Sequence, residues 1–300
     1  MNSNRLIGNL AMLTTAMLFG GNFTLTKYVL DEQCVTPTSL MMMRVVFSFL
    51  VFGGISLFTK RESIEKKDFL WIILAALLGI VGNQCLFILG ISLTSPIDGS
   101  IIATLAPIIT IIVSYFYLQE AISKKKVTGV ILGASGALLL IFFTHKGYSG
   151  EGSSLQGNVA FLGSASSYAC FLVFGKGISK KYKPVTLMKW MFLVSCIVLT
   201  PFYLKPFIDA PIWHMPFNWK HTGAAAYIVI GATCLPYFLL PIAQRTISAT
   251  ATGMYSYVIP VVATALSIWM GQGELTFPKI LCALLVFGGV FLVSQSNKTK

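Results

Sequence analysis

The sequence predicts an all-α membrane protein of ten transmembrane helices, arranged as two inverted five-helix repeats. Three observations predict it. Of the 300 residues, 55% are hydrophobic and 11% are charged, whereas a soluble domain carries about a quarter charged residues. The charges cluster, and the uncharged runs between them approach the roughly 20 residues a bilayer span needs. Marks in the first half of the chain also recur, in order, in the second. Strands are excluded, because an open sheet edge in lipid leaves backbone groups unpaired and barrel strands alternate with polar residues.

The apolar runs follow one another with short connections. Helix 1 is expected at Leu6–Thr26, helix 2 at Ser39–Phe58, helix 3 at Phe69–Ile91, helix 4 at Gly99–Leu118 and helix 5 at Val127–Phe143. Helix 6 follows at Gly157–Gly175, helix 7 at Pro184–Leu204, helix 8 at Gly223–Ala243, helix 9 at Ala249–Met270 and helix 10 at Pro278–Val293. The first run starts after Arg5, outlasts a signal-peptide core and lacks a small-x-small cleavage site, so it reads as a retained helix.

The net charge of +12 would favour nucleic acid on a soluble protein. Here the cations orient the helices instead, and no aromatic-basic motif makes nucleic acid an expected partner. With the N-terminus inside, fifteen Lys and Arg residues fall on the cytoplasmic side and five outside, namely Lys27, Lys146, Lys205, Lys220 and Lys279. Arg44 and Lys189 fall inside helices. This bias predicts an even number of spans, with both termini cytoplasmic, in a plasma membrane such as the bacterial inner membrane.

Six cysteines form no CxxC pair, and His145, His214 and His221 lie in polar loops. No metal site, cofactor or catalytic residue is expected. A membrane-embedded enzyme would need a nucleophile–base pair or a metal set within the spans. A channel would show charge rings or a selectivity segment. Both stay as alternatives without a motif.

Gly8-Asn9-Leu10-Ala11 opens helix 1, and Gly157-Asn158-Val159-Ala160 opens helix 6. Lys27 and Lys176 end those helices; Pro37 precedes helix 2 as Pro184 begins helix 7. Pro107 precedes Glu120, and Pro260 precedes Glu274, at similar spacing. Residues 1–148 and 149–300 thus read as two repeats. Five helices is an odd number, so the second copy enters from the opposite side, an arrangement recurrent in secondary transporters.

These features resemble the drug/metabolite transporter superfamily, specifically its EamA-type members, over nearly the whole chain. The marks are Leu18-Phe19-Gly20-Gly21-Asn22-Phe23 with Lys27, then Arg44, Leu93-Thr94-Ser95-Pro96, Ala106-Pro107 and Leu118-Gln119-Glu120 with Gly129 and Gly136. Ile259-Pro260 and Gly271-Gln272-Gly273-Glu274-Leu275-Thr276 mark the second half. Phe19 stands where such proteins usually carry tryptophan, and Ala283 where they often carry glycine. The resemblance implies a ten-helix carrier, many such proteins exporting amino acids, nucleosides or other metabolites.

Polar side chains in lipid are costly unless they face protein or water, so their spacing reports helix faces. Thr15, Phe19, Asn22 and Thr26 share a face of helix 1; Ser164, Ser167, Tyr168 and Phe171 one of helix 6; Ser256, Pro260 and Thr264 one of helix 9. Helix packing would use the same residue types. Asn22, Asn83 and Gln84 are stronger cavity candidates because a buried amide needs several partners. Pro107 and Pro260 are expected mid-helix, each freeing a carbonyl. Tyr168 and Tyr237 are expected at depth, as substrate contacts. Glu120 and Glu274 fall at helix ends on opposite sides, in structural or gating roles. Arg44 is expected to snorkel to the headgroups, or else to hold an anionic substrate group or pair with Asp31 or Glu32. The expected partners are the lipid bilayer and a small-molecule substrate, zwitterionic or neutral. The Gly129/Gly133 pair on helix 5 packs on helix 10 or on a second copy, leaving monomer and homodimer open.

Overall fold

A computed structural model of the chain describes residues 3–60, 62–118, 124–145, 153–246, 252 and 255–296. Among them there is no strand. The first half holds α1 (Ser3–Asp31), α2 (Pro37–Leu57), α3 (Lys66–Ala76), α4 (Asn83–Leu93), α5 (Pro96–Ala103), α6 (Ala106–Leu118) and α7 (Lys124–His145). The second holds α8 (Leu155–Phe174), α9 (Lys176–Lys181), α10 (Pro184–Ile208), α11 (Trp219–Ala226), α12 (Leu235–Thr246), α13 (Val258–Trp269) and α14 (Phe277–Ser296). Seven helical stretches of the described residues are long and apolar enough to cross a membrane; Val258–Trp269 and Phe277–Gly289 are shorter apolar helices.

Local chemistry explains the starts. Thr36 and Ser39 form a reciprocal cap: Thr36 Oγ1 accepts from Ser39 N at 3.1 Å, and Ser39 Oγ accepts from Thr36 N at 2.9 Å. Pro37 then fills the first helical position, where no amide proton is needed. At α5 the cap is one-way: Ser95 Oγ accepts from Asp98 N at 3.1 Å, and Pro96 fills the first helical position. At the far end of α13, Gly271 adopts φ 68°, and Gln272 N donates to Ser267 O while Gly271 N donates to Ile268 O, the paired bonds that close a helix through a left-handed residue. The end of α1 has the same pattern, with Cys34 N donating to Val29 O and Gln33 N to Leu30 O, but the left-handed residue is Gln33 at φ 54°. A side chain there is strained. Gln33→Gly should therefore stabilise the protein by about 0.5–1 kcal/mol, read as a higher unfolding midpoint in detergent; an unchanged or lower midpoint would refute the strain.

Two predicted helices are not uniform. Helix 3 runs from α3 through a π-helical stretch, Leu77–Gly82, into α4, and helix 8 runs from α11 through another, Tyr227–Cys234, into α12. Helices 4 and 9 are corrected near their prolines. The expectation was one continuous helix with Pro107 in its middle; instead α5 stops at Ala103 and α6 begins at Ala106. Pro107 sits in the first turn of α6, where its missing N–H costs nothing. Pro260 likewise sits in the first turn of α13, after a 3₁₀ turn at Tyr255–Tyr257.

The helices pack in pairs: α2 on α10, α7 on α14, α4 on α8, α6 on α8, and α1 on both α12 and α13. Glycines set the closest approaches. Gly99 and Gly90 leave room for the Phe161 ring, and Gly289 lies against the backbone of Gly129 and Gly133. The glycine pair on α7 thus serves contact within the molecule.

The exterior is apolar, and the interior, itself largely apolar, takes in polar side chains. Leu10, Leu57, Phe116, Ile131, Leu138 and Phe202 are exposed, while Thr24, Ser48, Ser100, Thr110, Asn158 and Ser195 are buried. That inversion suits a lipid surround. Between the spans a polar clasp joins α3 to α9 and α12. Lys181 Nζ lies 2.5 Å from both Glu65 Oε1 and Asp68 Oδ2, and the Tyr182 hydroxyl donates to Asp68 at 2.6 Å. Arg245 donates to the carbonyls of Ser179 and Tyr182, covering the C-terminal end of α9. Hydrogen bonds from Lys181 and then Lys67 hold the Glu65 carboxyl below its ordinary 4.5. Asp68 and then Glu65 raise Lys181 above its ordinary 10.5. The carboxylate's contribution is present above 4.5 and fades as pH falls through its lowered value. That of the amine is present below 10.5 and fades as pH rises through its raised value. Between those limits the clasp is constant.

Candidate functional site

One internal cavity draws its wall from α1, α2, α4, α5, α6, α8, the second π stretch, α12 and α13. About 80 Å³ of it admits the centre of a water molecule, and its empty space reaches about 640 Å³ when the mouth and the open solvent there are counted. Asn22, Asn83, Gln84, Tyr168, Tyr237 and Ser256 all line it, so six of the eight predicted substrate contacts come together. Pro107 and Pro260 are buried beside it; their preceding residues, Ala106 and Ile259, form the wall instead.

The polar atoms differ in what they have left to offer. Asn83 Nδ2 donates to Ser164 O and Oγ, each at 3.1 Å, and Ser164 Oγ donates back to Asn83 O at 2.9 Å. This exchange ties α4 to α8. The Tyr237 hydroxyl donates to the Gly79 carbonyl in the first π stretch, and Ser167 Oγ donates to the adjacent Leu78 carbonyl at 2.7 Å. Such stretches recur at functional positions. Gln84 is buried, and its Oε1 has no partner.

Arg44 corrects the expectation most clearly. Its side chain does not snorkel; the residue is 2% exposed and lines the cavity. It donates to Asn22 Oδ1 and, at 3.4 Å, to Thr26 Oγ1, while Thr26 donates to the same Asn22 oxygen at 3.1 Å. Its Cζ stands 5.6 Å from the Phe87 ring centroid, and its Nε has no partner. Neither carboxylate first considered for it is engaged: Asp31 pairs with Lys27, and Glu32 lies 3.7 Å from His221 Nε2. α2 begins at Pro37, so Arg44 lies seven residues along that helix and faces α1.

Sequence reasoning missed the aromatic lining of Phe23, Phe87 and Phe161, where Phe23 stacks on Phe161 at 5.5 Å and meets Phe87 edge-on at 4.9 Å. A signal existed: Phe161 extends the Ser164–Tyr168 stripe by one turn, and Phe87 lies one turn beyond Gln84 and Asn83. Glu120 lies outside the described residues; Glu274 is exposed in the coil before α14.

Apolar helices of membrane length that turn polar side chains inward around a cavity define a multi-pass membrane transporter. The model of the EamA-like transporter family matches residues 6–142 and 155–295, and the chain belongs to that family. It is 28% identical to the uncharacterized transporter YyaM of Bacillus subtilis, over 94% of this chain and 92% of that one. It is 25% identical to the uncharacterized inner membrane transporter YicL of Salmonella typhimurium, over 98% and 97%. An uncharacterized transporter of Archaeoglobus fulgidus is 24% identical over 96% and 99%. A solved crystal structure shares the fold with a TM-score of 0.66 at 18% identity, covering 98% of this chain and 96% of the other. The chain is a transporter of small molecules, not an enzyme.

Proposed function

We propose that the protein is a secondary transporter that moves small polar metabolites, of about amino-acid size, by alternating access. The observation that carries this reading is the cavity walled by both halves of the chain, with Asn22, Arg44, Asn83 and Gln84 from the first and Tyr168, Tyr237 and Ser256 from the second. In this reading residues 1–148 and 149–300 are inverted five-helix repeats, giving ten spans. Several facts support the repeats. The family model matches in two stretches. The π stretches occupy the third helix of each half, and Pro107 and Pro260 start corresponding helix segments. Packing is reciprocal: the first helix of each half contacts the third and fourth of the other, while second packs on second and fifth on fifth. Gly8 and Gly157 differ by 149 positions, as do Phe19 and Tyr168, and those two rings meet edge-to-face at 6.4 Å.

Export is the direction that the family resemblance implies. The Lys and Arg bias supports cytoplasmic termini, and the inner membrane named for the Salmonella relative supports that location. Glycines on α7 already engaged by α14 favour a monomer. Counterflow in proteoliposomes tests the carrier. A preloaded metabolite should accelerate entry of its labelled form, and Ala232→Trp, which fills the cavity wall, should cut that rate more than tenfold. Non-saturating flux without counterflow would point to a channel.

A further inference from the structure

The cavity holds a cation, Arg44, that no described carboxylate neutralises. Among the described residues the wall contains one ionisable side chain of fixed charge, Arg44, together with amides, hydroxyls and aromatic rings, and no Asp or Glu. Among the described residues no carboxylate pairs with Arg44. The contrast with Lys279 is direct, since that buried cation has Asp98 3.1 Å away. A buried charge without a counter-ion is costly, and Arg44 also leaves Nε–H unbonded. A second atom in the same wall is unmet: Gln84 Oε1, an acceptor without a donor.

Together these unmet groups describe a ligand. We propose that the transported solute is a monocarboxylate of net charge −1, bound through its carboxylate by Arg44, with a neutral hydroxyl or N–H given to Gln84 and an apolar or aromatic body among the phenylalanine rings. The inference rests on the carrier reading above and narrows its substrate. A guanidinium donates to carboxylate in a charge-assisted bond. A dianion would bring a second charge with no second cation. An ammonium group would meet Arg44 and no counter-charge, which disfavours cations outright and zwitterions by comparison with the matching hydroxy acid. Phe87 packs against Arg44 on one side, so the body of the solute continues the ring-lined wall.

A charge series on one skeleton tests this. Purified protein in lipid nanodiscs is titrated calorimetrically with 3-phenyllactate, phenylalanine, phenyllactamide and phenethylamine, and the same four solutes are offered to proteoliposomes. The expected order places 3-phenyllactate tightest. Arg44→Gln should weaken it at least tenfold, as loss of a charge-assisted bond implies, while changing phenyllactamide little. Arg44→Lys keeps the charge and should recover part of the affinity. The series on the unsubstituted protein is decisive even where Arg44→Gln fails to fold. Tighter binding of the zwitterion, amide or amine overturns the proposal, as does failure of all four to bind or anion binding indifferent to Arg44→Gln. Should the anion bind through Arg44 yet show neither uptake nor counterflow, the carrier reading fails and the anion site stands.

Discussion

Lys279→Met should destabilise the folded protein by about 3–5 kcal/mol, because it strands a buried carboxylate. Asp98, at the start of α5, is fully buried, and Lys279, at the start of α14, is 1% exposed. Their ion pair at 3.1 Å joins the two halves of the chain, and Ser153 Oγ donates to the other carboxylate oxygen at 2.6 Å. The ammonium lies off the line of a directed hydrogen bond, so Asp98 Oδ1 has no aligned donor. Charge compensation therefore carries most of the interaction. The double variant Asp98→Asn with Lys279→Met removes both charges and should recover most of the loss, since neutral replacement of a buried pair is often tolerated. Thermal unfolding in detergent measures both. Equal instability of the single and double variants would show that packing, not charge, holds this junction.

Gly289→Leu should cost about 3 kcal/mol, at the upper end of what overpacking causes. A Cβ at this position would lie 2.5 Å from the Gly129 carbonyl oxygen and closer still to Gly133 N. Those are backbone atoms of α7, so no rotamer change relieves the clash and the two helices must separate. The neighbouring glycine supplies the control. At Gly288 the nearest atom to a new Cβ is a flexible Leu132 methyl at 3.4 Å, and Gly288→Ala should be nearly neutral. Comparable losses at both positions would refute close backbone approach as the source of the effect.

Depth along a helix was legible in the sequence, and azimuth only partly so. Hydropathy located the seven helical stretches of membrane length among the described residues, and α2, α8 and α10 begin within two residues of the expected starts. Polar stripes brought Asn22, Tyr168 and Ser256 to one wall because a buried amide or hydroxyl in an apolar surround must find protein. Arg44 was misjudged because its distance from a helix end resembles that of a snorkelling residue; only packing reveals that Asn22 and Thr26 stand opposite. Prolines expected mid-helix proved to lie in the first turns of helices, since hydropathy continues unbroken through Thr104 and Leu105 while the hydrogen-bond ladder does not. The π stretches left no mark in composition. In the first of them, tertiary donors that sequence does not place, Ser167 and Tyr237, claim the carbonyls of Leu78 and Gly79.

Those wider turns set the aim of everything beyond them. A π turn closes over one residue more than an α turn, and each residue swings the helix by about 100°. The extra position between Leu77 and Gly82 thus dials Asn83, Gln84 and Phe87 onto the cavity wall, where Asn83 meets Ser164 and Phe87 meets Arg44. Shortening that stretch by one residue would keep a helix of membrane length but turn this trio about a quarter revolution, pointing the amides at greasy neighbours. The spare residue works as a set-screw for the pocket.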